Sequence, residues 1–145
     1  EDFKLDSGTW VSVGTLRAQA VAAGSPLVQD CVVCGQDKPF VGLLVWPVMS
    51  VAKEIAGDAS GPDAIVSSPK VREFVQKHFA QFNKASGGSS GRVKRVILMT
   101  EPPSVDGHEI TDKGYVNQRA TMDRRADLVA KLYQNALPPE VIEIP

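Results

Sequence analysis

Three groups of residues in this 145-residue chain have types and spacing that could do chemistry. The first is a single lysine. In EITDKGYVNQRA, Lys113 stands between Asp112 and Gly114, just ahead of a polar run that turns helical. Most surface lysines lie inside helices, where their stems cover apolar surface. Lys113 is instead presented on a turn, as a compact cation on a flexible stem. The second group is the cysteine pair of CVVCG, Cys31 and Cys34, which has the spacing of a redox pair or of half a zinc site. The flanking PLVQDCVVCG reads as a strand, and residues three apart in a strand point to opposite faces, ~10 Å apart. That separation cannot close a disulfide. No second cysteine pair exists and the only histidines are His78 and His108. Buried structural cysteines and no metal site are therefore expected. The third group is ASGGSSGR with Arg92, Lys94 and Arg95 just after it. The glycine run lacks the GxxxxGK spacing that cradles phosphate and reads as a flexible connector. The basic residues read as the solvated face of a strand in preference to an anion patch.

Composition limits the partners. With 16 basic and 17 acidic residues the net charge is -1, so nothing draws the chain to nucleic acid or to an anionic membrane. No apolar run approaches the ~20 residues that span a bilayer. The length fits one domain, 1–145, with a core of its own. The sequence opens on EDFKLDSGTW, without methionine and without the basic start and apolar middle of a signal peptide. It is expected to begin inside a longer protein and to be cytoplasmic.

The elements that must position these residues follow from periodicity. FKL and TWVSV flank Asp6-Ser7-Gly8 and predict a short hairpin with Gly8 at its tip. A small-residue helix over 15–23 stops at Gly24 and Pro26. Two apolar strands follow, 27–34 and 41–46, with a turn at Asp37-Lys38-Pro39 between them. A helical piece is expected over 48–56, then a loop over 57–69. The clearest helix runs 69–84: Val71, Phe74, Val75, His78, Phe79 and Phe82 form one apolar stripe, and His78 is a core-edge residue on it. RVKRVILM is a strand. A single last helix over 117–134 buries Met122, Ala126, Val129 and Tyr133. The tail LPPEVIEIP cannot be helical and is expected to lie extended over the surface. The result is an α+β fold: an N-terminal β-hairpin, then a three-stranded sheet flanked by helices, with two presented turns at Gly8 and Lys113.

Both turns lie in segments that resemble one family. EDFKLDSGTWVSVGTLRAQAV is similar to the stretch after the hinge of adenylate-forming enzymes, the acyl-CoA synthetases and their relatives, with Lys4, Gly8, Val11 and Ser12 at the matching places. HEITDKGYVNQRA resembles the lysine-bearing turn before that family's final helix. Asp112 and Gly114 depart from the commoner Ser-Gly-Lys-Ile wording. The resemblance is strongest to feruloyl-CoA synthetases and weakest over residues 48–91.

The resemblance implies the small mobile C-terminal domain of a two-step ligase. A carboxylic acid attacks the α-phosphate of ATP and releases pyrophosphate. Coenzyme A then displaces AMP to give a thioester. It implies Lys113 as the catalytic lysine of the first step, and Gly8, Lys4 and Trp10 as residues toward coenzyme A in the second. It implies that ATP, Mg and a ferulate-like aromatic acid are held mainly by a large N-terminal domain outside this chain. Two other classes compete with it. A stand-alone α+β module recognising RNA or protein would use GRVKRV and GGSSG, but no aromatics stack near those basic residues. A redox domain built on CVVC is the third.

Overall fold

Turn chemistry at the N-terminus makes a hairpin whose one face is apolar. In the computed structural model, which describes residues Glu1–Pro145 apart from the side chain of Ser89, β1 (Phe3–Lys4) pairs antiparallel with β2 (Trp10–Val11). Phe3 stands opposite Val11, and both are buried; Lys4 stands opposite Trp10, and both are exposed. Helix α1 (Val13–Ala23) follows and ends at Gly24. The two apolar runs become β3 (Val28–Cys34) and β4 (Val41–Pro47), an antiparallel pair. Helices α2 (Met49–Ala56), α3 (Pro62–Val66) and α4 (Pro69–Ala85) then carry the chain over to β5 (Val93–Leu98), which runs parallel to β4. Helices α5 (Gln118–Arg124) and α6 (Ala126–Leu132) lead to β6 (Val141–Glu143), antiparallel to β5. The sheet order is β3-β4-β5-β6. Every residue of β4 is buried, as a central strand covered on both faces requires.

The two faces have separate cores. Cys31, Val33, Leu43, Val45 and Val96 pack with Leu16 of α1 and with Val71, Val75 and Phe79 of α4. Val32, Cys34, Leu44, Trp46 and Ile97 pack on the other face with Leu132 of α6. The two cysteines thus belong to opposite cores, as their spacing demanded. Burial, above all, pushes each thiol up to about 12, so neither is a nucleophile near neutral pH. His78 sits at the core edge, its Nδ1 3.1 Å from the Ala23 carbonyl and its ring stacked on Phe74.

The α+β class is as expected, with four corrections. The sheet has four strands, not three, because the tail is not spread over the surface. Val141, Ile142 and Ile144 are buried, and each such aliphatic side chain contributes about 1.5–3 kcal/mol, enough to draw an extended segment onto the open edge of β5. Arg72 fixes the entry by donating to the carbonyls of Pro139 and Val141. The expected loop over 57–69 contains α3: Pro62 opens it at the position proline favours, and Ile65 is buried beneath it. The last helix is two helices, broken at Arg125, whose φ is -109° and ψ 35°. Its buried residues are Gln118, Thr121, Arg125 and Leu132, whereas Ala126 is exposed. Arg95, finally, is not on a solvated face. It donates to the carbonyls of Leu132 and Gln134, pairs with Glu143 at 3.4 Å and lies over the Phe40 ring.

Candidate functional site

The four candidate residues fall on two turns. Lys113 belongs to a small hairpin closed by a bridge between Ile110 and Val116. The Gly114 N–H donates to the Thr111 carbonyl at 2.9 Å, the Thr111 N–H to the Tyr115 carbonyl at 2.9 Å, and the Tyr115 N–H to Thr111 Oγ1 at 3.0 Å. Gly114 has φ +86°, a conformation that glycine adopts without strain. Gly114 therefore closes a tight turn whose two central residues are Asp112 and Lys113. Lys113 is exposed and takes part in no ion pair among the described residues. Tyr115 beside it is 69% exposed.

The root of this hairpin is polar and buried. The Asn117 N–H donates to the Glu109 carbonyl at 2.8 Å, and Asn117 Oδ1 caps α5 by accepting from the Ala120 N–H at 3.0 Å. Gln118 then docks α5 on the sheet: its Oε1 accepts from the Val33 N–H at 2.9 Å, and its Nε2 donates to the Val33 carbonyl. The Glu109 side chain is fully buried and faces Arg125 as a two-point pair, with Nε to Oε2 at 2.7 Å and Nη2 to Oε1 at 2.8 Å. The Ser104 N–H adds a bond to Oε1 at 2.9 Å. The remaining Arg125 donors reach the carbonyls of Glu101 and Pro102, both at 3.0 Å, and Met99 Sδ at 3.3 Å, and its guanidinium lies over the Trp46 ring. One side chain therefore holds both ends of the 101–109 loop. Sequence reasoning missed Glu109, Gln118 and Arg125. A polar run before a helix reads as surface, and only their partners in the fold show them to be interior.

The pair makes stability depend on pH. Burial pushes the Glu109 carboxyl up, but the Arg125 guanidinium and the Ser104 N–H outweigh it and hold the group below its ordinary value of 4.5. A depressed carboxyl stabilises the fold above that ordinary value, and the contribution is lost as pH falls through the lower folded value. Glu109→Gln takes away the buried counter-charge of Arg125, leaving it only the exposed Glu101 carboxylate at 4.0 Å, and is expected to cost about 3 kcal/mol at pH 7. The gap to the unchanged chain is expected to narrow as the pH is lowered below 4.5. Denaturant unfolding of both chains at several pH values checks this, and a gap of constant size would contradict it.

The second turn carries Gly8, Lys4 and Trp10. The Leu5 N–H donates to the Thr9 carbonyl and the Gly8 N–H to the Leu5 carbonyl, each at 2.9 Å. Gly8 has φ +87°, and a Cβ placed there would meet nothing within 4 Å. The hairpin rests against the β3–β4 turn, with the Asp6 N–H on the Lys38 carbonyl and the Asp37 N–H on the Lys4 carbonyl, both at 2.9 Å. The Lys4 ammonium lies 4.9 Å from the centroid of the Trp10 ring, and Trp10 is 61% exposed. An aromatic face, a cation and a bare glycine tip thus stand together in the open. Among the described residues no group of three or more His, Cys, Asp or Glu could hold a metal ion, and no helix is long and apolar enough to cross a membrane.

Known proteins share the sequence pattern and the fold of this chain. Residues 13–137 match the family described as the AMP-binding enzyme C-terminal domain. The chain is 24% identical over 127 residues to the probable acyl-activating enzyme 16, chloroplastic, of Arabidopsis thaliana, a match covering 87% of this chain and 18% of that protein. Two solved structures share the fold. One is the A-PCP didomain of the carboxylic acid reductase from Segniliparus rugosus in complex with AMP, with a TM-score of 0.68 and 23% identity over 91% of this chain and 17% of the other. The other is the adenylation domain of the carboxylate reductase from Mycobacterium chelonae, with a TM-score of 0.69 and 24% identity over 91% and 19%. The chain spans less than a fifth of the length of each of these relatives.

Proposed function

Because the chain belongs to the AMP-binding enzyme C-terminal domain family, we propose that it serves an ATP-dependent carboxylate–CoA ligase of the feruloyl-CoA synthetase type, supplying Lys113 to the first half-reaction and the Gly8 hairpin to the second. The observation that carries the reading is the Lys113 turn: an exposed ammonium at the tip of a hydrogen-bonded hairpin whose root is buried. Among the described residues no ion pair engages this cation within its own domain. It is built to reach a site elsewhere, where negative charge gathers between a carboxylate and the α-phosphate of ATP. A point charge on a flexible stem suits a carboxylate oxygen and an α-phosphate oxygen that draw together as the acyl–phosphate bond forms and the bond to pyrophosphate breaks.

The Gly8 hairpin supports the second step. The open space at its tip lets backbone approach a bound thiol arm, and the exposed Trp10 ring with Lys4 offers stacking and a cation to the nucleotide of coenzyme A. ATP, Mg and the aromatic acid would be held mainly by the enzyme's N-terminal domain, this chain's partner. The reading as an RNA or protein module is not favoured, since Arg95 is spent inside the fold and the family is otherwise. This chain by itself is expected to show no ATP–pyrophosphate exchange with ferulate. Clear turnover by the chain alone would contradict the division of labour.

A further inference from the structure

We propose that Glu109 and Arg125 form the positioning pair that sets the reach of Lys113, an inference that rests on the reading of Lys113 as the adenylation lysine. The hairpin that carries the lysine has little core of its own. Ile110 and Val116 are half-buried, Tyr115 is exposed, and a single bridge closes the arm. What fixes its direction is the root. Glu109 takes the Asn117 N–H on its main chain and Arg125 on its side chain, so both strands of the arm start from one buried residue. Lys113 lies four positions beyond Glu109, an arm of about 10 Å in a bent chain, and a tilt of about 5° at its base moves the tip by about 1 Å. A displacement of that size is costly in a site that relies on orientation, about 100-fold in rate.

The pair is also an odd choice if stability were its only purpose. Replacing a buried ion pair with apolar residues of similar volume is often neutral or stabilising. Arg125 does what an apolar residue could not. Its planar fork takes the carboxylate at two points while its other donors take the carbonyls of Glu101 and Pro102. It lies at the break between α5 and α6, where the helix departs from regular geometry. Lysine in its place would keep the charge and lose the fork.

The test uses the longer enzyme and four variants: Lys113→Ala, Arg125→Lys, the two combined, and the apolar pair Glu109→Leu with Arg125→Met. Two rates are read, ATP–pyrophosphate exchange with ferulate and thioester formation from supplied feruloyl-adenylate. Arg125→Lys is expected to slow exchange about 100-fold and to leave the thioester step near normal, whereas a loss of folded protein would lower both alike. Combined with Lys113→Ala it should add nothing further, because a misplaced lysine and an absent one are equivalent. The apolar pair should fold and show the same selective loss. Near-normal exchange in Arg125→Lys or in the folded apolar pair, with Lys113→Ala slow, overturns the positioning role alone. Independent addition of the two effects, or loss of folded protein in both Arg125 variants, overturns it as well. Near-normal exchange in Lys113→Ala overturns the lysine reading and this inference with it.

Discussion

Lys113→Ala in the longer enzyme is expected to lower ATP–pyrophosphate exchange by about 10²–10³-fold, a loss of roughly 2.7–4 kcal/mol, the scale set by removing one preorganised donor from a developing anion. The side chain is exposed and touches no ion-pair partner among the described residues, so its removal takes no packing from the core. Folding stability should therefore stay within about 0.5 kcal/mol. Thioester formation from supplied acyl-adenylate should be nearly normal, because the pyrophosphate has already left and the lysine has no further charge to meet. Lys113→Arg should rescue poorly, since a planar fork does not replace a point charge between two oxygens. Exchange and thermal unfolding measured on the same preparations check both halves. A normal exchange rate, or an equal fall in the two half-reactions, would contradict the assignment.

Gly8→Leu is expected to do the reverse. The residue has φ +87° and nothing within 4 Å of where a Cβ would stand, so a side chain there costs backbone strain while its Cβ meets no neighbour. That strain is about 1–2 kcal/mol and is shared by Gly8→Ala and Gly8→Leu alike. The difference between the two variants isolates bulk at the tip. Leucine there should obstruct the thiol arm and slow thioester formation by on the order of 10², while alanine does less and adenylation is spared in both. If Gly8→Ala and Gly8→Leu are equally impaired, or if adenylation falls with thioester formation, the tip serves folding and not the second step.

Much of the scaffold was legible because each local signal had one reading. The stripe of Val71, Val75 and Phe79 defines α4, and Asp6-Ser7-Gly8 between short apolar runs defines a hairpin whose tip glycine does have positive φ. The turn at Lys113 was legible too, since a glycine after a tip residue marks the chain reversal that Thr111 and Gly114 close. What escaped depends on distant partners. The sequence VIEI is too short to declare itself a strand, and it becomes one only because the edge of β5 is free and Arg72 takes up the carbonyls beside it. The interior roles of Glu109 and Arg125 escaped for the same reason. They are 16 residues apart on a loop and a helix break, and each looks solvated until the other is placed. Arg95 looks solvated in the sequence because alternation gives a side chain's direction but not the carbonyls of Leu132 and Gln134 that await it.

In the proposed function one small domain serves two half-reactions through two different turns. The most direct measurement places Lys113→Ala and Gly8→Leu side by side in the longer enzyme and determines, for each, the rate of acyl-adenylate formation and the rate of its conversion to thioester in single turnovers. The account predicts opposite patterns: the first variant slow in adenylation alone, the second slow in thioester formation alone. Parallel losses in both steps for both variants would contradict it.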